Sequence, residues 1–96
     1  MTHIKLFKQA GPFAENKDIA EGIRLKKLIP ALEKDQKIIL DFENIEGVTQ
    51  AFVHTLISDL IRKYGSEVLD KIQFKSCNAT VKAIITIVVD YMQESI

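Results

Sequence analysis

The run Lys37-Ile-Ile-Leu-Asp-Phe42 constrains this chain more than any other. Apolar residues stand at consecutive positions in it without polar alternation, the pattern of a strand covered on both faces. Such a strand needs neighbours on both edges and helices to cover it, so residues 37–42 are expected to be the central strand of an α/β fold. The chain has 96 residues, enough for one modest core and too few for a second, so residues 1–96 are read as a single domain.

The periodicities around that strand agree. Residues 3–8 form a strand candidate with Ile4 and Leu6 on one face and Phe7 on the other, followed by the turn signal Ala10-Gly11-Pro12 and a short second strand around Phe13. Asn16 or Asp18 can cap a helix whose stripe is Ile19, Ile23, Leu28, Ile29 and Leu32. Gly22 weakens that helix, and Pro30, with no N–H to donate, predicts a kink or stop near Ile29. After a turn at residues 44–47, Val53, Leu56, Ile57, Leu60, Ile61 and Tyr64 recur at helical spacing, and Gly65 ends the helix. Ile72 and Phe74 alternate with polar neighbours in a last strand. Asn78 or Thr80 then caps a final helix lined by Val81, Ile84, Ile85, Val88, Val89 and Met92. The expected fold is a small mixed sheet of three to four strands, with helices mainly on one face and crossovers between strands.

Composition narrows the function. Thirteen basic residues balance thirteen acidic ones, so no global field draws the chain to nucleic acid or an anionic membrane, and neither is expected as a partner. The densest basic patches are Arg24, Lys26 and Lys27, and Arg62, Lys63 and Lys71; neither has interleaved exposed aromatics. Cys77 is the only cysteine, which excludes an internal disulfide and fits a reducing, cytoplasmic setting. No secretory signal is expected at the N-terminus, and the apolar run at residues 83–89 is far shorter than the ~18–20 residues of a membrane span.

No catalytic apparatus is apparent. His3 and His54 are the only histidines, and neither is within helical reach of the other or of Cys77, so no metal site is expected. Cys77 reads as an inert thiol that packs after a strand. Asp41, Glu43 and Glu46 cluster beyond the central strand, where such acids form turns or stay solvated. The four glycines are scattered and make no phosphate loop. The expectation is a protein that is not an enzyme and needs no cofactor.

Leu40-Asp-Phe42, the element Val48-Thr-Gln-Ala-Phe52 and Tyr64-Gly65 together resemble the STAS superfamily, the sulphate-transporter and anti-sigma-factor-antagonist domains. They are similar in particular to the bacterial STAS-like family of unknown function. The resemblance runs through roughly residues 37–65. In regulatory STAS domains the central strand leads to Asp-Ser-Ser-Gly at a helix start, and phosphorylation of the first serine releases the domain from its target. The helix dipole and free N–H groups tolerate a phosphate there, and about two added charges rewrite a docking surface.

In this chain Thr49 falls at the aspartate, Gln50 at the phosphoacceptor, Ala51 at the second serine and Phe52 at the glycine. The resemblance therefore implies the fold and a docking surface within residues 47–58, while Gln50 cannot accept a phosphoryl group. Thr49 reads as a helix N-cap. Gln50, His54 and Ser58 are four apart, a polar stripe expected in solvent. With Thr49 they form the expected partner-binding surface, and the resemblance suggests a histidine-kinase-like ATPase as the partner. An ordinary solvated helix face explains the same stripe. A reading of a different class is a passive structural subunit that closes a homodimer through an apolar helix face.

Overall fold

A strand at Ile38–Asp41, β3, does stand at the centre of the sheet. The structure, a computed structural model, describes residues 1–95. Thr2–Lys5 forms β1 and Ile72–Lys75 forms β5, and the sheet order is β1–β3–β5 with both pairings parallel. Leu40 lies opposite Ile4 on one side and Phe74 on the other. The short strands Phe13–Ala14, β2, and Gly47–Val48, β4, pair in parallel as a separate ribbon. The α/β class and the small sheet are as expected. Among the described residues the strands divide three and two, and every pairing is parallel.

Burial corrects the view of the central strand. Ile4, Ile38, Leu40 and Ile72 are buried on one face, whereas His3, Lys5, Gln73 and Lys75 on the other face are exposed. The sheet is therefore covered on one face, and Ile39, flanked in register by His3 and Gln73, is half-buried.

The first strand also stops earlier than residues 3–8 suggest. The Leu6 N–H makes the last ladder bond, to the Asp41 carbonyl at 3.1 Å, and the Leu6 carbonyl then accepts from Gln9 and Ala10 N–H at 3.0 and 2.9 Å. The chain turns into the short helix α1, Phe7–Ala10. Leu6 remains buried and Phe7 is turned outward.

Asn16 caps α2, Lys17–Ile23, its side chain accepting from Asp18 and Ile19 N–H. Pro30 breaks that helix in a specific way. Arg24–Leu28 is a π-helical turn, in which Ile29 N–H reaches five residues back to the Arg24 carbonyl, and Pro30 then falls in the first turn of α3, Ile29–Glu33. Proline is tolerated in the first turn of a helix, and the wide turn stands directly before it.

The longest buried contribution comes from α4, Gln50–Tyr64, which packs against both α2 and α5, Ala79–Ser95. Phe52, Val53, Leu56, Ile57, Leu60 and Ile61 are all buried, and at ~1.5–3 kcal/mol for each large side chain they dominate the core. Gly65 ends α4 at φ 81°, ψ 170°, a region that only glycine enters readily. A 3₁₀ helix, Ser66–Lys71, leads into β5. Among the described residues no helix is long and apolar enough to cross a membrane.

Candidate functional site

The start of α4 is fastened from three directions. Gly47 and Val48 pair with Phe13 and Ala14, and the Thr49 N–H donates to the Ala14 carbonyl at 3.0 Å. Glu46 and Gly47 N–H share the Pro12 carbonyl at 2.7 and 3.3 Å. From the other side, the Asn78 amide donates to the Ile45 and Glu46 carbonyls at 3.3 and 3.0 Å, while its oxygen accepts the Val81 N–H at 2.8 Å and caps α5. Asn78 thus ties the turn after β3 to the mouth of the last helix. Thr49 takes the N-cap role, its hydroxyl oxygen accepting the Phe52 N–H at 3.0 Å; that interaction satisfies one donor of the first turn.

Of the other expected site residues, two are brought together and one is not. Gln50 is exposed and His54 is half-buried. Both line a cleft of about 430 Å³ between α4 and α5, together with Ala51 and Thr55. Lys17, at the start of α2, borders it, and Ile87, Val88 and Tyr91 of α5 form the opposite wall. Ser58 does not reach solvent: it is only 3% exposed. The α2 side covers that part of α4, where the Arg24 guanidinium donates to the Thr55 carbonyl at 2.6 Å and meets the Asp59 carboxylate at 3.3 Å. The stripe of Gln50, His54 and Ser58 therefore ends at His54, while Asp59, Arg62 and Lys63 keep another side of α4 exposed.

Ile87 and Tyr91 enlarge the site beyond the sequence reading. They are 49% and 60% exposed, lie outside the inner stripe of α5, and are four residues apart. That spacing, apolar on an outward face, was the available signal.

Among the acids after the central strand, Glu43 and Glu46 are exposed as expected, and Asp41 differs. Asp41 is 3% exposed. One carboxylate oxygen accepts the Glu43 N–H at 2.9 Å, and the other lies 2.8 Å from His3 Nε2. The Glu43 N–H and then the His3 contact hold its pKa below the ordinary carboxylate value, against the opposing effect of burial. Asp41 is thereby a fastening between β1, β3 and the turn that follows: of the two roles expected of these acids it takes that of turn former, and it is buried instead of solvated. For Cys77, burial raises the thiol pKa, Lys82 opposes this and the Asp41 charge adds to it. The thiol lies in a different groove, with Phe74 and Ile85, away from His54. No group of three His, Cys, Asp or Glu side chains that could hold a metal is present among the described residues.

A protein-family model described as a STAS-like domain of unknown function matches residues 20–82, about two thirds of the chain. That span runs from α2 through β3, β4, α4 and β5 into the first turn of α5. No significant match exists among curated proteins or solved structures.

Proposed function

The chain belongs to the family of STAS-like domains of unknown function, and from that membership we propose that it is a regulatory module that docks a protein partner and performs no catalysis. The observation that supports this reading is the α4–α5 cleft. It sets the polar Gln50 and His54 beside the exposed, apolar Ile87 and Tyr91. Apolar anchors with a few polar groups to fix orientation are the usual composition of a recognition surface.

Gln50 has no hydroxyl, so a switch at this position would not run through phosphoryl transfer to that residue. The family resemblance makes a histidine-kinase-like ATPase the first partner to test, and a reducing cytoplasm the compartment in which to look. The test is a comparison of captured partners. Tagged wild type and the variant Gln50→Arg/His54→Glu are used as baits, with Gln73→Arg on the open sheet face as control. A partner held by wild type and control and lost from the double variant supports the proposal. Equal capture by all three refutes it.

The exposure of Ile87 and Tyr91 also favours a second reading, a homodimer closed across the same cleft. Light scattering of wild type against Ile87→Glu/Tyr91→Glu separates the two. A dimer converted to a monomer by those changes assigns the cleft to self-association.

A further inference from the structure

β1 is an edge strand, because the order β1–β3–β5 leaves one of its flanks without a neighbour. Its ladder uses alternate residues. The Thr2 N–H donates to the Lys37 carbonyl at 2.9 Å and the Leu6 N–H to the Asp41 carbonyl at 3.1 Å. With a strand's period of two, the backbone groups of Thr2, Ile4 and Leu6 face β3, and those of His3 and Lys5 face outward. Both residues are exposed. Among the described residues no turn, loop or cap hydrogen bond engages their backbone. The edge therefore offers donors and acceptors in the spacing of a strand that has lost its partner.

Charge decides what would fit there. Beside the edge runs a groove of about 270 Å³, walled by the π-helical turn and α3, and Lys26, Lys27 and Lys34 line it along with His3 and Gln36. None of these lysines belongs to an ion pair among the described residues, and no carboxylate lines the groove. In a chain of zero net charge, this is a local concentration of cations next to unpaired backbone. A second copy is disfavoured as the occupant, because a two-fold edge pairing would bring the same lysines face to face.

We infer that this edge is a strand-addition site for an acidic, extended peptide segment of another protein. The segment's backbone bonds to His3 and Lys5. Its acidic side chains, recurring every second residue on one face, meet Lys26, Lys27 and Lys34. The groove shares no lining residue with the α4–α5 cleft, so the two surfaces can be occupied together.

The test is an NMR titration of the isotope-labelled chain with a capped peptide of alternating Glu and Val. Three controls accompany it: the same peptide with its valines replaced by proline, its Lys-for-Glu counterpart, and a short oligothymidine. The expected result is movement and slowed exchange of the His3 and Lys5 amides with the Glu–Val peptide, and binding about tenfold weaker with the proline peptide, which keeps its carboxylates, loses every second N–H group and is a poor strand former. Lys26→Glu/Lys34→Glu should weaken the Glu–Val peptide by about tenfold or more. Lys5→Pro should abolish the effect where Lys5→Gln retains it, since the Lys5 N–H takes no part in the β1–β3 ladder. The charge-reversal pair changes only exposed residues, so the proposal stays testable even where the proline variant folds poorly. Equal affinity for the proline peptide, tighter binding of oligothymidine at the same amides, or no amide shift at ~1 mM peptide would each overturn it.

Discussion

Asp41 offers the sharpest test of how this fold holds together. Its carboxylate is 3% exposed and accepts the Glu43 N–H while facing His3 Nε2 at 2.8 Å. A hydrogen bond to a buried charged group contributes about 1.5–3 kcal/mol. The His3 side chain is 39% exposed, so its share falls toward the ~0–1 kcal/mol of a screened pair. Asp41→Asn preserves the volume and an acceptor for Glu43 and should destabilise by ~1 kcal/mol; Asp41→Ala removes both partners and should cost about 2 kcal/mol. In a chain of this length each kcal/mol lowers the melting midpoint by roughly 4–8 °C. The pH dependence supplies the sign. Asp41 titrates below its ordinary value in the folded state, so its contribution is present above the unfolded-state pKa of ~3.9 and is lost as pH falls through the lower folded value. Urea unfolding of wild type and Asp41→Asn at pH 7 and near pH ~2.5 reads this directly. The gap should close in acid, while the depressed pKa values of Glu33 and Asp35 act alike in both proteins and cancel in the difference. Equal stability at neutral pH, or a gap that is the same at both pH values, would refute the role given to the carboxylate.

Other outcomes follow from particular contacts. A Cβ at Gly22 would meet nothing within 4 Å, so Gly22→Ala should stabilise by about 0.5–1 kcal/mol in thermal unfolding through helix propensity alone. Ser58→Ala should stay within ~1 kcal/mol of wild type, whereas Ser58→Glu, which places a carboxylate in a site 3% exposed, should destabilise by several kcal/mol; Gln50→Glu on the exposed first turn is its control, and equal melting curves would contradict the burial of Ser58. Asn78→Ala removes the α5 cap and two bonds to the turn after β3, and should destabilise by about 1–2 kcal/mol with faster amide exchange at Glu46 and Gly47.

Residues within one or two turns of each other account for what could be read in advance. Asn16, Thr49 and Asn78 cap helices because a short side chain satisfies donors two or three positions on, and Gly65 stops α4 because of its own freedom at positive φ. Pro30 marked the break in the second helical segment for the same local reason. The resemblance at residues 38–52 pointed to the STAS-like family that the family model also finds. Packing between distant segments decided the rest. The other face of the sheet exposes His3, Lys5, Gln73 and Lys75 and leaves Ile39 half-buried, a matter of topology that an unbroken apolar run cannot express. Ser58 is buried on a stretch of α4 to which Arg24, far away in the chain, is bound at the Thr55 carbonyl, and Asp41 is buried where His3 meets its carboxylate. The cleft likewise required α5 to bring Ile87 and Tyr91 beside Gln50 and His54. Caps and stops depend on backbone groups a few bonds away, so a sequence carries them whole; exposure depends on which elements meet across the fold, and only the folded arrangement supplies that.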